Sequence, residues 1–499
     1  MAERKQRKLT DVASGSAQPT EPRTLWDSGL SGSQGTESVR GTWSSEGEAG
    51  HHRPFPTKSQ GTLSPTTVRS RLEWLATQAR KYPETAFTTL AHYVDEALLE
   101  RAFWSLNPRS SPGIDRITWQ DYKRDLETHL EDLHERLVGG TYRPQAVVRR
   151  WIPKDERRKK YRPLGIPTLE DKIVQRAVAL LLEQIYEQDF YDFSYGFRPE
   201  RSCHQALHAL RQGMLRGIHF VIDCDISSFF DNLRHDQLLA ILRKRINDGR
   251  LLALIEMWLK AGIMDGKDLV FPDKGSPQGS VISPLLANVY LHEVLDTWFA
   301  EVVTAHCRGK VVIYRYADDF VIGCELENDA ARIMRALPQR FARYGLEINR
   351  EKTKLVNFRR PCWGYDPKKH GPKPDTFSFL GFTCYWGKTW KGGHTIKWKT
   401  DTKRMFRAVR RIWEWCRENR HRSLEEQYAI LCAKLRGHYQ YYGVRCNSRC
   451  LEWVFDRVKR AWRYWLNRRG GRKKLSWTTL QRMLKAFCLP RPKIVQSWV

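Results

Sequence analysis

Two short stretches limit what this chain can fold into. In VIYRYADDFVIG, Val312 to Gly323, the adjacent aspartates Asp318 and Asp319 interrupt two apolar, β-branched runs. In VIDCDISSFF, Val221 to Phe230, Asp223 and Asp225 sit inside a run that otherwise reads as a buried strand. Strand alternation puts Asp223 and Asp225 on one side and Cys224 on the other. An ionised carboxylate beside a core is expensive unless a counter-charge or a metal ion holds it. Arg315 is the one cation within the hairpin run. Either stretch alone is read equally well as exposed acids at a strand end. Together, acids from two strands suit hard divalent cations such as Mg²⁺, which take carboxylate and phosphate oxygens. A pair of such ions activates a 3′-hydroxyl and stabilises a pyrophosphate leaving group in nucleotidyl transfer.

The charge of the chain points to the same partner. Its 499 residues carry 85 Lys+Arg against 56 Asp+Glu, a formal net charge of +29. Such an excess repels itself in the compact state, so a polyanion is expected: nucleic acid first, an anionic membrane surface as the rival. No apolar run approaches the roughly 20 residues needed to span a bilayer. The start, MAERKQRKLT, is basic with no apolar segment behind it, so no secretory signal is expected. Eleven scattered cysteines fit reduced thiols in the cytoplasm, and Cys446 with Cys450 lacks the second pair a zinc site needs.

Along the chain, residues 1–65 are rich in Ser, Gly, Thr and Glu and are expected to be a disordered tail. Helical periodicity then alternates with extended pieces. YRPQAVVRRWIPK and YRPLGIPT read as strands, DKIVQRAVALLLEQIYEQDF as a helix, and Thr118 as the cap of the helix beginning WQDYK. Interleaved strands and long helices predict an α+β fold. Beyond about residue 395 strand signals fade, and aromatics mix with arginines in RMFRAVRRIWEWCRENR, LRGHYQYYG and VFDRVKRAWRYWLNRR. Residues 391–474 hold 24 Lys+Arg against 7 Asp+Glu. A solvated basic helical face is the plain reading. Trp and Tyr among the basic residues favour RNA, stacking on unpaired bases while arginines follow phosphates.

An ordered series of motifs then carries a family resemblance over roughly residues 85–470: SPGIDRIT, RPLGIPTLEDKIVQRAV, YGFRPERSCHQAL, DISSFFDNLRHDQL, GSPQGSVISPLLANVYLHEVLD, YADD, LEINREKTK, FLGF and LRGHYQYYG. The chain resembles group II intron-encoded reverse transcriptase/maturases of the bacterial type. The resemblance implies a right-hand polymerase of fingers and palm, followed by an all-helical thumb and maturase domain. The expected boundaries are 66–222 for the N-terminal extension and fingers, 223–390 for the palm, 391–475 for the thumb/maturase helices and 476–499 for a short tail with a possible DNA contact. The implied catalytic acids and ligands of two Mg²⁺ ions are Asp225, Asp318 and Asp319, with the carbonyl of Ile226 completing the shell. Asp223 is left peripheral. Phe230 is the expected steric gate against a ribose 2′-hydroxyl, with core packing as its plain reading. Lys154 and Arg162 are the expected triphosphate contacts, and the intervening DERRKKY offers other lysines. Pro277, Gln278 and Gly279 would line the incoming nucleotide, and Lys352 would lie near it. Arg198, Arg436, Tyr439, Tyr441, Tyr442, Arg457, Arg460 and Arg463 are the expected RNA contacts, Arg198 with a structural turn as its rival role. His204 and His235 read as structural. The chain ends at LPRPKIVQSWV with no HNH-type cluster of paired Cys and His, so second-strand cleavage is not expected of it. The implied partners are group II intron RNA, target DNA and dNTPs, in a bacterial cytoplasmic ribonucleoprotein. The rival functions are a splicing-only maturase and a host-recruited defence reverse transcriptase.

Overall fold

The computed structural model describes residues 65–155, 160–266, 268–271, 274–275, 278–470 and 475–497. The expected disordered tail, 1–65, falls almost wholly outside them, as does Pro277.

Among the described residues, twelve strands form three sheets between long helices, as an α+β reading requires. β1 (Val147–Asp155) and β2 (Lys160–Ile166) are antiparallel, with Ile152 opposite Arg162. β3 (Phe220–Ser227) belongs to the central sheet. β4 (Ile263–Asp265) runs parallel to β1, and β5 (Asp268–Val270) closes the first sheet in the order β2-β1-β4-β5. The proline-rich extended pieces of the sequence are thus a paired hairpin.

The central sheet places β6 (Val311–Tyr316), β7 (Asp319–Cys324), β3 and β8 (Glu347–Ile348) in that order, with β9 (Lys354–Asn357) also paired to β3. Its two faces serve two cores. Ile222, Cys224, Phe320, Ile322 and Cys324 enter one core, while Val221 and Val321 enter the other. Period-two alternation fixes this division. It sends Asp223, Asp225 and Asp319 to the same side as Val221 and Val321. Against that side packs β10 (Phe377–Phe379), first strand of a sheet completed by β11 (Phe382–Lys388) and β12 (His394–Thr400).

β12 corrects the sequence reading, in which strand signals end near 395 and the helical part begins at 391. His394, Ile396, Trp398 and Thr400 are buried, while the residues between them are more exposed. Lys397 and Lys399 on the solvent side made a two-sided strand read as a basic run. Helices take over only at Thr402, with Thr402–Glu418, Leu424–Tyr442 and Ser448–Leu466. The C-terminal residues after helix Trp477–Ala486 return to them: Val495 N–H donates to the Gly443 carbonyl at 2.7 Å, and Leu489 is buried.

The helix Leu169–Asp189 is capped by Thr168, whose hydroxyl accepts from Asp171 N–H, with Glu170 and Asp171 in the first turn. Thr118 forms the expected capping box with Asp121, but the helix pauses at residues 124–125, giving Trp119–Lys123 and Leu126–Val138. Helix Ser283–Leu291 continues into a π-helical stretch, His292–Val303, where Thr304 N–H bonds the Phe299 carbonyl. That stretch carries Asp296, which is fully buried and faces Arg315 of β6, also fully buried. The pair is bidentate, Nε to Oδ1 at 2.8 Å and Nη2 to Oδ2 at 2.5 Å. Removing one partner strands a buried charge, so Arg315→Ala or Asp296→Ala is expected to cost ~3–5 kcal/mol. The double variant Arg315→Met/Asp296→Leu should recover most of that loss, read as the chemical-unfolding midpoint of the three variants.

Candidate active site

Arg315 also fixes the turn between β6 and β7. Tyr316 pairs with Asp319, so Ala317 and Asp318 form a two-residue loop, and Ala317 has a positive φ of 56°. Primed hairpin turns need that backbone at the first loop position, where glycine is the unstrained choice. The cost is offset by contacts: Arg315 Nη1 donates to the Ala317 carbonyl at 3.1 Å and to Asn288 Oδ1 at 3.0 Å. Asn288 in turn donates to the Gly196 carbonyl at 2.7 Å. Gly196 lies so close to the turn that a Cβ there would stand 2.2 Å from the Ala317 nitrogen. The YGFRP segment and the YADD turn are therefore one unit. Arg315 does not neutralise the neighbouring acids, because its guanidinium is committed to Asp296, Asn288 and Ala317.

The turn exposes Asp318 and sets Asp319 directly opposite Asp225 of β3. Asp319 is pushed up to about 7, first by burial and then by the charges of Asp223, Asp318 and Asp225; a hydrogen bond from the Leu380 backbone N–H opposes this. Asp223 is pushed up to about 6, first by burial, with Asp225 adding to the rise. Lys354, directly opposite it on β9, and the Ser378 N–H hold it down. Asp225 is half-exposed and accepts a 2.7 Å bond from Lys352 Nζ. The acids so gathered include Asp223, which the sequence reading left peripheral. Its signal was the alternation that puts it on the same face as Asp225.

Carboxylates raised by burial and by one another's charge are of the type that could hold hard cations. Among the described residues, no group of three His, Cys, Asp or Glu is already drawn together as a metal cage. Ile226 is buried opposite Ile348.

Phe230 lies in the short helix Phe229–Asn232, entered through Ser228 at φ 44°, and is half-buried with its ring 5.3 Å from that of Phe229. Gly279, at φ 109°, would bring a Cβ within 2.5 Å of the Gly165 carbonyl, and Gly165 N–H donates to the Gln278 carbonyl at 2.6 Å. Its lack of a side chain serves a close approach to β2. Arg162 is exposed on β2. Lys154 falls at the β1–β2 register irregularity between Pro153 and Asp155.

The expected RNA contacts divide. Arg436, Arg457 and Arg460 are exposed, and Arg463 lies over Trp477 at 4.4 Å. Arg198 is buried, paired with Glu187 at 2.9 Å and donating to the carbonyls of Tyr191 and Ser194. That is the structural-turn role, with the guanidinium facing inward. Tyr439 and Tyr442 are buried in the second core, and Tyr441 donates its hydroxyl to the Leu380 carbonyl at 2.8 Å. Tyr441 and Tyr442 pack their rings against Phe382 of the β10–β12 sheet, and Tyr439 and Tyr442 are turned away from solvent. His204 Nε2–H donates to the Tyr441 carbonyl at 2.8 Å, and His235 Nε2–H to the Gly275 carbonyl at 2.6 Å, both as structural links.

Residues 152–384 match the family described as reverse transcriptase (RNA-dependent DNA polymerase). Protein YkfC of Escherichia coli is 35% identical over 319 residues, 56% of this chain and 82% of that protein. The group II intron-encoded protein LtrA of Lactococcus lactis is 44% identical over 168 residues, which span 34% of this chain and 28% of LtrA. Nuclear intron maturase 1 of Arabidopsis thaliana is 30% identical over 160 residues, 32% of this chain and 21% of that protein. The chain belongs to the reverse transcriptases. Over shorter stretches it is similar to a group II intron-encoded protein and to an intron maturase. No helix among the described residues is long and apolar enough to cross a membrane.

The raised acids predict a pH dependence. Asp319 and Asp223 bind protons up to about 7 and about 6 when folded, against the ordinary aspartate value of 3.8. The folded protein thus binds more protons than the unfolded chain between these limits, and their contribution to stability falls as pH rises from about 4 to about 7. In metal-free buffer, Asp319→Asn should flatten this part of the melting-temperature profile. Added Mg²⁺ should raise the wild-type melting temperature more at about pH 8 than at about pH 6, and Asp319→Asn should lose that difference.

Proposed function

We propose that this protein is an RNA-directed DNA polymerase that also acts as the maturase of a group II intron. It binds the intron RNA to promote splicing and copies it into cDNA from a target-DNA primer during intron mobility. The observation that carries the reading is the register pair Asp225–Asp319 with Asp318 at the adjoining turn. Its motif context matches the reverse transcriptase family over the same residues.

In this reading the central sheet is a polymerase palm, the β1–β2 hairpin belongs to the fingers and the helices from Thr402 form the thumb and maturase surface. Asp225, Asp318, Asp319 and the Ile226 carbonyl would hold two Mg²⁺ ions, which supply charge for activating a primer 3′-hydroxyl and stabilising pyrophosphate. The chain's own residues set the geometry around them. Lys352 holds Asp225 in place and offers a charge to a phosphate arriving there. Phe230 crowds the sugar C2′ position and selects deoxynucleotides. Arg162 and Lys154 meet the triphosphate from the β1–β2 hairpin, and Pro277, Gln278 and Gly279 support the nascent pair. The exposed Arg436, Arg457 and Arg460 track RNA phosphates.

Extension of a DNA primer on an RNA template with dNTPs and Mg²⁺ tests the enzyme. Asp318→Ala should reduce it by about a thousandfold, the rate equivalent of ~4 kcal/mol, while RNA binding stays. Undiminished extension would sink the assignment. Phe230→Val should raise ribonucleotide incorporation relative to deoxynucleotide; an unchanged ratio leaves Phe230 to core packing. For the maturase role, Arg436→Gln/Arg457→Gln/Arg460→Gln should weaken intron RNA binding and lower its salt slope by about 3. Splicing should fail in that variant and survive in Asp318→Ala.

A further inference from the structure

One surface away from the acidic site and the C-terminal helices has no task in this reading. It comprises the segment 359–376, between β9 and β10, and the tip of the β11–β12 hairpin. β9 leaves the central sheet beside Phe220. Phe220 is five residues along β3 from Asp225, about 17 Å at the usual strand rise. The surface is thus set apart from the site of synthesis.

Its charge is one-sided. Residues 359–399 hold nine Lys+Arg and two Asp+Glu. One of those acids, Asp366, is used locally, capping the short helix Pro367–His370 by accepting from Lys368 N–H at 3.0 Å. Two indoles stand in this positive field. Trp390 at the hairpin tip is fully exposed, and Trp363 is 72% exposed. Single exposed aromatics need no explanation, but two on one basic surface point to a partner.

The surface is also ordered as a unit. A Cβ on Gly392 or on Gly393 would come within 3.2 Å of the Trp363 ring, so the hairpin turn is the seat of that indole. The segment bearing Trp363 closes on itself, with the Tyr365 hydroxyl donating to the Gly371 carbonyl at 2.5 Å and His370 N–H to the Asp366 carbonyl at 2.8 Å. Beside it the Arg360 guanidinium lies 5.9 Å over the Trp386 ring, which is held by an indole N–H bond to the Phe358 carbonyl at 2.8 Å. Lys388 and Arg360 both act on His394, depressing its pKa further after burial has done most of the work.

We propose that this surface binds an unpaired stretch of RNA, with bases stacking on Trp363 and Trp390 and phosphates meeting Arg360, Lys388 and Lys391. It rests on the reading of the chain as an RNA-handling protein and adds a second RNA contact to it. An acidic protein would match the charge as well. The exposed indoles favour nucleotides, because every unstacked base presents a π-face and bases in a duplex do not.

The test separates this contact from the polymerase site. Protein carrying a short primer–template hairpin and an incoming dNTP is titrated with a short fluorescent uridine oligomer, and in parallel with a duplex RNA of equal length. Trp363→Ala/Trp390→Ala should weaken oligomer binding at least about tenfold, affect the duplex less, and leave extension on the short template intact. Lys388→Gln/Lys391→Gln should lower the salt slope for the oligomer by about 1.4. Trp390, which no other residue buries, controls for misfolding: Trp390→Tyr should retain binding and Trp390→Leu should lose it. Wild-type protein that fails to bind the oligomer, a double variant that binds it normally, or equal behaviour of Trp390→Tyr and Trp390→Leu would overturn the proposal. Absent extension by the wild type would instead sink the polymerase reading and leave this titration interpretable.

Discussion

The ion pair between Arg315 and Asp296 is the interaction on which the site depends. Both side chains are fully buried, and burying two charges costs more than their attraction returns unless every hydrogen bond is placed. Here they are placed: the guanidinium bonds both Asp296 oxygens, Asn288 and the Ala317 carbonyl. What the pair supplies is therefore geometry. It ties the YADD turn, the end of helix Ser283–Leu291, the π-helical stretch and, through Asn288, the YGFRP segment into one block. A non-glycine residue at φ 56° in a two-residue turn is tenable only in such a block.

With Arg315 spent on that task, it does not offset the acids of β3 or Asp319 opposite them. Two lysines from the turn and strand after β8 approach them, Lys352 at Asp225 and Lys354 at Asp223, and β10 lends backbone N–H groups to Asp223 and Asp319. These hold the side chains in position, and burial first, with the neighbouring charges second, keeps Asp319 pushed up to about 7. Rigid strands and residual negative charge suit the cation site proposed above.

Much of this was legible in the sequence. Period-two alternation gave the facing of Asp223, Asp225 and Cys224, and the apolar runs gave the strands of the hairpin. The motif order carries the resemblance that assigns the three aspartates. Other features depend on partners distant in the chain. The Arg315–Asp296 pair spans 19 residues and two elements, so Arg315 read as a neighbour of the acids when it was a clamp. The tyrosines of LRGHYQYYG and the guanidinium of Arg198 read as RNA contacts because their residue types suit RNA; burial against the β10–β12 sheet and Glu187 is set by tertiary packing. β12 was missed because lysines on its outer face masked the alternation of its inner one.

The central claim is that Asp225, Asp318 and Asp319 form one cation site shared with a nucleotide. Electron paramagnetic resonance with Mn²⁺ measures it directly, on protein bound to an RNA template, a terminated DNA primer and a matching dNTP. Two bound ions are expected in the wild type and fewer in Asp225→Ala and Asp318→Ala, with binding that tightens when the dNTP is added. Undiminished Mn²⁺ binding in both variants would contradict it.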